Sequence, residues 1–204
     1  MNNNIKIVMW DYGGVLTESP IKNFNKFENR FNYTLNTIVD INSYNKFENA
    51  WAKFEKNVIS SQEFSKLFKK EAKAFGITDI DTQELLKCLD VKLNTKMINL
   101  LQEVSKYYTS ICLTNNFKYI SSNSFKSIKS YFNHIFESSN LAMRKPEKEI
   151  YNYVLKHLGV KAEEILFIDD LGINLKPARL LGFHTYKFID TKTTIDFVKN
   201  LLKI

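Results

Sequence analysis

Apolar positions follow two rhythms along this chain. The first is a short run, Ile5-Lys6-Ile7-Val8-Met9-Trp10, rich in β-branched and large apolar residues. Such a run predicts a buried parallel strand. It ends at Asp11 and the turn pair Gly13-Gly14. Between 18 and 91 the spacing shifts to threes and fours. Ile21, Phe24, Phe27 and Phe31 share one helical face. Tyr44, Phe47, Trp51, Phe54 and Val58 repeat in the same way, as do Phe64, Leu67, Phe68, Ala72 and Phe75. Apolar faces of this kind usually pack inward, so a helical bundle is expected, with a ligand-lining role for the aromatic stripes as the alternative. Ser60 with Glu63, and Asp81 with Glu84, have the spacing of capping boxes that open two of these helices.

From 92 onward strand and helix patterns alternate. A helix through Met97, Ile98, Leu101 and Val104 leads to a strand over 110–113. A polar helix through Phe125 and Ile128 precedes a strand over 134–137. Pro146 is expected at the first-turn position of a helix that Gly159 stops. A strand over 165–168 ends at Asp169-Asp170, a further helix ends at 181–182, and a strand over 183–188 precedes a helix over 194–202. This alternation predicts an α/β fold, a Rossmann-like parallel sheet core with helices on both faces. The helical block interrupts it after the first strand as an inserted α-helical cap. The expected division is 1–17 and 92–204 for the α/β core and 18–91 for the cap.

Composition narrows the function classes. Apolar residues make up 44% of the 204 and charged residues 25%, ordinary values for a globular chain. The formal net charge is +7, but the lysines are scattered and form no dense basic block, so no nucleic-acid partner is expected. The two cysteines, Cys88 and Cys112, have no metal-ligand spacing, and Cys112 sits in an apolar run. No segment has membrane-spanning length and no signal-peptide pattern opens the chain. A cytoplasmic protein without membrane association is expected, as a monomer or a homodimer.

Four polar points fall at or near strand ends: Asp11, Thr114-Asn115, Lys145 and Asp169-Asp170. Each has an ordinary structural role when read singly. Asp11 could serve a turn, Asp169-Asp170 and Thr114 could cap helices, and Lys145 could be a loop lysine. In an open parallel sheet, however, the loops after neighbouring strands converge on one crevice. Gathered there, the four points make a set for phosphoryl transfer. A carboxylate can attack phosphorus, carboxylates with carbonyls suit Mg²⁺, and an ammonium and a hydroxyl can hold phosphoryl oxygens.

The segments Trp10-Asp11-Tyr12-Gly13-Gly14-Val15-Leu16, Leu113-Thr114-Asn115-Asn116, Met143-Arg144-Lys145-Pro146 and Phe167-Ile168-Asp169-Asp170 resemble, in order, the four motifs of the haloacid dehalogenase superfamily. The stretch from Asp169 through Lys176-Pro177-Ala178-Arg179 is especially similar to the N-terminal phosphatase domain of soluble epoxide hydrolases. The resemblance implies a Mg²⁺-dependent phosphatase that hydrolyses a small phosphomonoester through an aspartyl-phosphate. It implies Asp11 as nucleophile and metal ligand, with the Gly13 carbonyl as a further ligand. Thr114 and the Asn115 amide would hold the phosphoryl oxygens, Lys145 would neutralise the aspartyl-phosphate, and Asp169 and Asp170 would serve the metal. How that last pair divides its work stays open.

One position departs from the family pattern. Most phosphatases of the superfamily carry an Asp acid–base two residues after the nucleophile, where this chain has Gly13. Loss of such help falls hardest on poor leaving groups and least on sugar 1-phosphates and acyl or aryl phosphates. A bacterial α-glucose-1-phosphate phosphatase also has Gly there, which makes a sugar phosphate one expectation. Tyr12 should point away from Asp11 by strand alternation. Glu18 or the cap are the remaining sources of an acid. The alternatives are a metal-independent haloacid dehalogenase and a non-catalytic binding protein that keeps the fold.

Overall fold

The structure, a computed structural model, describes residues 4–117 and 123–204. Residues 1–3, at the head of the expected first core segment, and 118–122, ahead of the helix through Phe125, lie outside the described residues. Among the described residues five strands form one sheet: β1 (Ile7–Trp10), β2 (Thr109–Thr114), β3 (His134–Glu137), β4 (Ile165–Asp169) and β5 (His184–Lys187). All pair in parallel, in the order β3-β2-β1-β4-β5. β1 is central, with Trp10 opposite both Cys112 of β2 and Ile168 of β4. The chain builds outward from β1 on one side, then returns to build on the other. That reversal places the carboxyl ends of β1, β2 and β4 around a common crevice.

After β1 come five helices: α1 (Ile21–Arg30), α2 (Thr37–Ser43), α3 (Ala50–Glu55), α4 (Ser61–Lys73) and α5 (Thr82–Lys87). They pack around a cluster of their own that includes Phe24, Trp51, Phe54, Phe64 and Phe68. Phe54 and Phe64 stack with ring centroids 4.7 Å apart. Burying each such ring stabilises the block by about 1.5–3 kcal/mol. The chain enters and leaves this block side by side. Thr17 bridges Leu93, Glu18 donates its N–H to the Lys92 carbonyl at 2.9 Å, and Asn94 donates to that of Leu16 at 2.9 Å.

The remaining helices are α6 (Thr95–Val104), α7 (Asn123–Ile128), α8 (Ser138–Leu141), α9 (Lys148–Leu158), α10 (Gly172–Leu180) and α11 (Thr191–Leu202). Strand residues alternate between two cores. Val8, Trp10, Cys112, Leu166 and Ile168 face a cluster with Leu101 of α6, Phe125 of α7 and Val198 of α11. Ile7, Met9, Ile111, Leu113 and Phe167 face Ile150 of α9 and Leu175 of α10. With both faces covered, the central strand β1 and its neighbour β4 are apolar up to the aspartates that follow or end them, which is why they read as unbroken runs. This is the α/β parallel sheet with helices on both faces that the alternation predicted.

Two local expectations need correction. The repeat from Tyr44 to Val58 is not one helical face. Asn45 (φ 46°) and Asn57 (φ 55°) take left-handed conformations that interrupt a helix, and the Asn49 side chain caps α3 by accepting from the Ala52 N–H at 2.8 Å. Tyr44, Phe47 and Val58 are therefore exposed. Pro146 is not at a first-turn position either, because Glu147 holds the extended N-cap conformation of α9 and Pro146 precedes it. The Ser60–Glu63 capping box is present in full. Asp81 caps α5, but Glu84 pairs with Lys87 and Arg30 instead of returning a bond. Among the described residues no helix is long and apolar enough to cross a membrane.

Candidate active site

Asp11 follows β1 directly, Thr114 ends β2 and Asp169 ends β4, so three neighbouring strands deliver three polar side chains to one place. Lys145 arrives from the loop between α8 and α9. Its Nζ lies 2.8 Å from Asp11 Oδ1 and 2.7 Å from Asp169 Oδ2. All four residues are buried, with Asp169 wholly so at 0% exposure and Lys145 at 1%. Burial opposes the charge on Lys145, but Asp11 and Asp169 outweigh it and hold the ammonium pKa well above its ordinary value.

The consecutive aspartates do different things. Asp169 Oδ1 accepts from the Leu171 N–H at 2.8 Å and from Asn174 Nδ2 at 3.0 Å, while Oδ2 accepts from Lys145 and, at 3.1 Å, from Asn174. Its acceptor capacity is largely spent on the protein. Asp170 lies against Gly14. Gly14 has φ +79°, and a Cβ there would stand 2.3 Å from Asp170 Oδ2, so both backbone conformation and space require glycine.

Carboxylate oxygens of Asp11, Asp169 and Asp170 all lie within 4.8 Å of one another. Among the described residues, Lys145 is the cation in direct contact with this group, so three carboxylates outnumber the one ammonium they touch. Burial first, and then the charges of Asp169 and Asp170, push the Asp11 carboxyl well above the usual range despite Lys145. Burial and Asp169 push Asp170 up to about 6. Hard oxygen donors with surplus negative charge fit a small divalent cation.

The Thr114 hydroxyl makes only a long 3.5 Å contact with the Asn115 carbonyl, which leaves it able to donate elsewhere. Asn115 is committed. Its Oδ1 accepts from the Lys145 N–H at 2.9 Å and its Nδ2 donates to the Lys145 carbonyl at 2.9 Å, fixing the loop that carries Lys145. Asn115 Nδ2 also donates to Glu55 Oε2 at 3.0 Å. That carboxylate, at the end of α3, accepts from Arg144 Nε at 2.5 Å, and its other oxygen from Trp51 Nε1 at 3.1 Å. Lys56 and Glu147 make a second ion pair across the same seam at 2.8 Å. Between the sheet and the inserted helices lies a cavity of about 570 Å³. Asp11, Gly13, Thr114, Lys145 and Asp170 line its floor, and Phe24, Trp51 and Phe117 stand among its walls.

The structure thus brings together Asp11, Gly13, Thr114, Asn115, Lys145, Asp169 and Asp170. Glu18 is exposed and does not line the cavity. Tyr12 lines it in part while its ring packs edge-on against Phe125 at 4.8 Å. Three participants had no role assigned from sequence: Glu55, Arg144 and Asn174. Asn174 was findable, since it sits one helical turn beyond the aspartate pair. Phe24 and Trp51 are at once part of the helical core and part of the cavity wall.

A family model described as haloacid dehalogenase-like hydrolase matches residues 5–182. The chain is 28% identical over 203 residues to "Acyl-CoA dehydrogenase family member 10" of Mus musculus, covering 97% of this chain and 19% of that protein. It is 31% identical over 128 residues to "Bifunctional epoxide hydrolase 2" of Rattus norvegicus, covering 59% of this chain and 23% of that one. The chain spans about a fifth of the length of these two relatives. It is also similar to the crystal structure of a HAD family enzyme from Bacteroides thetaiotaomicron in complex with magnesium and inorganic phosphate. There the TM-score is 0.63 at 26% identity, over 90% of this chain and 93% of that one.

Proposed function

The chain belongs to the haloacid dehalogenase-like hydrolases, and from that premise we propose that it is a Mg²⁺-dependent phosphatase acting on a small phosphomonoester through an aspartyl-phosphate on Asp11. The observation that carries this reading is the surplus of three close carboxylates over one lysine beside an open cavity. A metal-independent dehalogenase has no use for that surplus. The magnesium and phosphate in the Bacteroides enzyme's structure support the same reading.

Asp11 is the nucleophile. Its Oδ attacks phosphorus and the bond to the leaving oxygen breaks. Thr114 donates its hydroxyl to a phosphoryl oxygen, helped by the Asn115 backbone amide. Lys145, held by Asn115 and Asp169, neutralises charge on the phosphoryl group and steadies Asp11. Asp11, Asp170 and the Gly13 carbonyl would hold Mg²⁺, while Asp169, saturated by Lys145, Asn174 and the Leu171 N–H, supports them from behind. Bound Mg²⁺ supplies positive charge against which the phosphoryl oxygens can approach the carboxylates. Water then attacks phosphorus, the P–O bond to Asp11 breaks with its electrons returning to the carboxylate, and inorganic phosphate leaves with the water's protons on its oxygens or passed to solvent. The inserted helices act as a cap that closes the cavity and selects the organic group, with 18–91 as the cap and 1–17 and 92–204 as the core.

The test is release of phosphate from para-nitrophenyl phosphate with Mg²⁺, after chelation with EDTA, and after Mg²⁺ is restored. Release that stops with EDTA and returns with Mg²⁺ is expected. Release indifferent to chelation contradicts the metal assignment, and no release contradicts the phosphatase.

A further inference from the structure

The chemical character of the cavity differs sharply between floor and walls. The floor is ionic. The walls bring Phe24 from α1, Trp51 from α3, Val39 from α2, Leu89, Val91 and Phe117. Trp51 meets Phe24 and Phe117 edge-on at centroid distances of 6.0 and 5.6 Å, so the aromatic wall is continuous. Leu171 and Ile173, 46% and 42% exposed, extend the apolar surface towards solvent. Polar groups on the cap side are Ser19, Asn42, Ser43, Lys46 and Glu55, the last already held by Arg144, Asn115 and Trp51. A polyhydroxylated sugar would leave the hydroxyls that face Phe24, Val39, Trp51 and Phe117 against hydrocarbon, which is unfavourable for each one lacking a partner.

Among the described residues, three groups near the floor that could protonate a leaving oxygen are committed elsewhere. Lys145 is held between Asp11 and Asp169. The Glu55 carboxylate accepts from Arg144, Asn115 and Trp51. Asp170 belongs to the proposed metal set. Gly13 has no side chain, and a Cβ built on it meets nothing within 4 Å among the described residues, so there is space at the position itself and no acid supplied by it.

We propose that the substrate is an aryl phosphate, a monoester whose leaving group is a flat, apolar, phenol-type hydroxyl; this rests on the phosphatase reading above. Asp11 attacks phosphorus, and the P–O bond breaks with both electrons on the aryl oxygen. That oxygen is basic enough to form the ester yet weakly basic enough to depart unprotonated, and it takes its proton from water afterwards. The aromatic wall receives the ring, and the cavity volume is in the range of small-molecule sites.

The experiment compares kcat/KM of the wild-type chain with Mg²⁺ on five compounds: 2-naphthyl, phenyl and n-hexyl phosphates, glucose 1-phosphate and acetyl phosphate. Naphthyl phosphate is expected to exceed both hexyl phosphate and glucose 1-phosphate by about a hundredfold or more, the scale of general acid catalysis that an alkoxide would need. Its KM should lie about fivefold below that of phenyl phosphate, from the added apolar area. If acetyl phosphate is hydrolysed but naphthyl phosphate is no better than the hexyl or glucose esters, the aryl assignment is overturned and the phosphatase stands. If none of the five releases phosphate, the phosphatase reading falls and this inference with it.

Discussion

The Asp170 carboxylate rests against the Cα of Gly14, so close that a methyl group on that carbon would stand 2.3 Å from Asp170 Oδ2. The turn after β1 therefore positions a carboxylate that belongs to the loop after β4. Gly14→Ala should displace Asp170 and strain a left-handed backbone position at about 1–3 kcal/mol. The expected result is loss of the Mg²⁺-induced rise in melting temperature and a drop in kcat of about a hundredfold. Thermal unfolding with and without Mg²⁺ checks it, and an unchanged metal response would contradict the placement of Asp170 at the metal.

The pH response of the metal-free protein follows from the same carboxylate. Asp170 is pushed up to about 6, from an ordinary 3.8, by burial and by Asp169. The folded state thus holds its proton more tightly than the unfolded chain does. The ionised carboxylate disfavours folding above about pH 6, and the penalty fades as pH falls towards its ordinary pKa. Mg²⁺ relieves the penalty only where the group is ionised. Mg²⁺ should raise the melting temperature more at about pH 8 than at about pH 5. Equal shifts at the two pH values would count against this account.

The seam between the inserted helices and the sheet depends on Glu55. Its side chain and that of Arg144 are only 9% and 12% exposed. Glu55→Ala strands the Arg144 guanidinium and frees Asn115 from one of its three bonds. The expected loss is about 3–5 kcal/mol, read by urea unfolding. A double variant with Arg144→Ala should recover part of it, because the unpaired charge is gone; a double variant as unstable as the sum of the two single ones would show that the pair is uncoupled.

Gly13 offers a gain-of-function test. A Cβ there meets no described atom within 4 Å, so Gly13→Asp should be accommodated. An acid at that position should raise kcat on n-hexyl phosphate by about tenfold or more, with little change on aryl phosphates. No gain on the alkyl ester would mean that leaving-group protonation is already supplied by another group.

The elements that carry the site were readable because each depends on local sequence. A strand buried on both faces is an apolar run, and the polar residue that ends it stands out, as Asp11, Thr114 and Asp169 do. The Ser60–Glu63 box and the Gly159 stop are likewise encoded within a few residues. The middle of the helical block was not readable from spacing. Tyr44 to Val58 has helical intervals, but asparagines at 45 and 57 turn the backbone left-handed and Asn49 starts a new helix. The Glu55 network was beyond reach for another reason. Its partners Asn115 and Arg144 lie 60 and 89 residues away, and no local pattern marks a carboxylate that will meet them. The division of labour between Asp169 and Asp170 also needed the fold, since only there does Asn174 meet one and Gly14 the other.

The central claim is that Asp11 takes the phosphoryl group. The most direct measurement is kcat of the Asp11→Asn variant with saturating Mg²⁺ on a substrate the wild type hydrolyses, alongside its circular dichroism and melting temperature. Removing a nucleophile from its attack position forfeits the covalent route, so a fall of about a thousandfold or more is expected with the fold intact. Residual turnover above about a tenth of wild type, in a folded variant, would contradict the assignment.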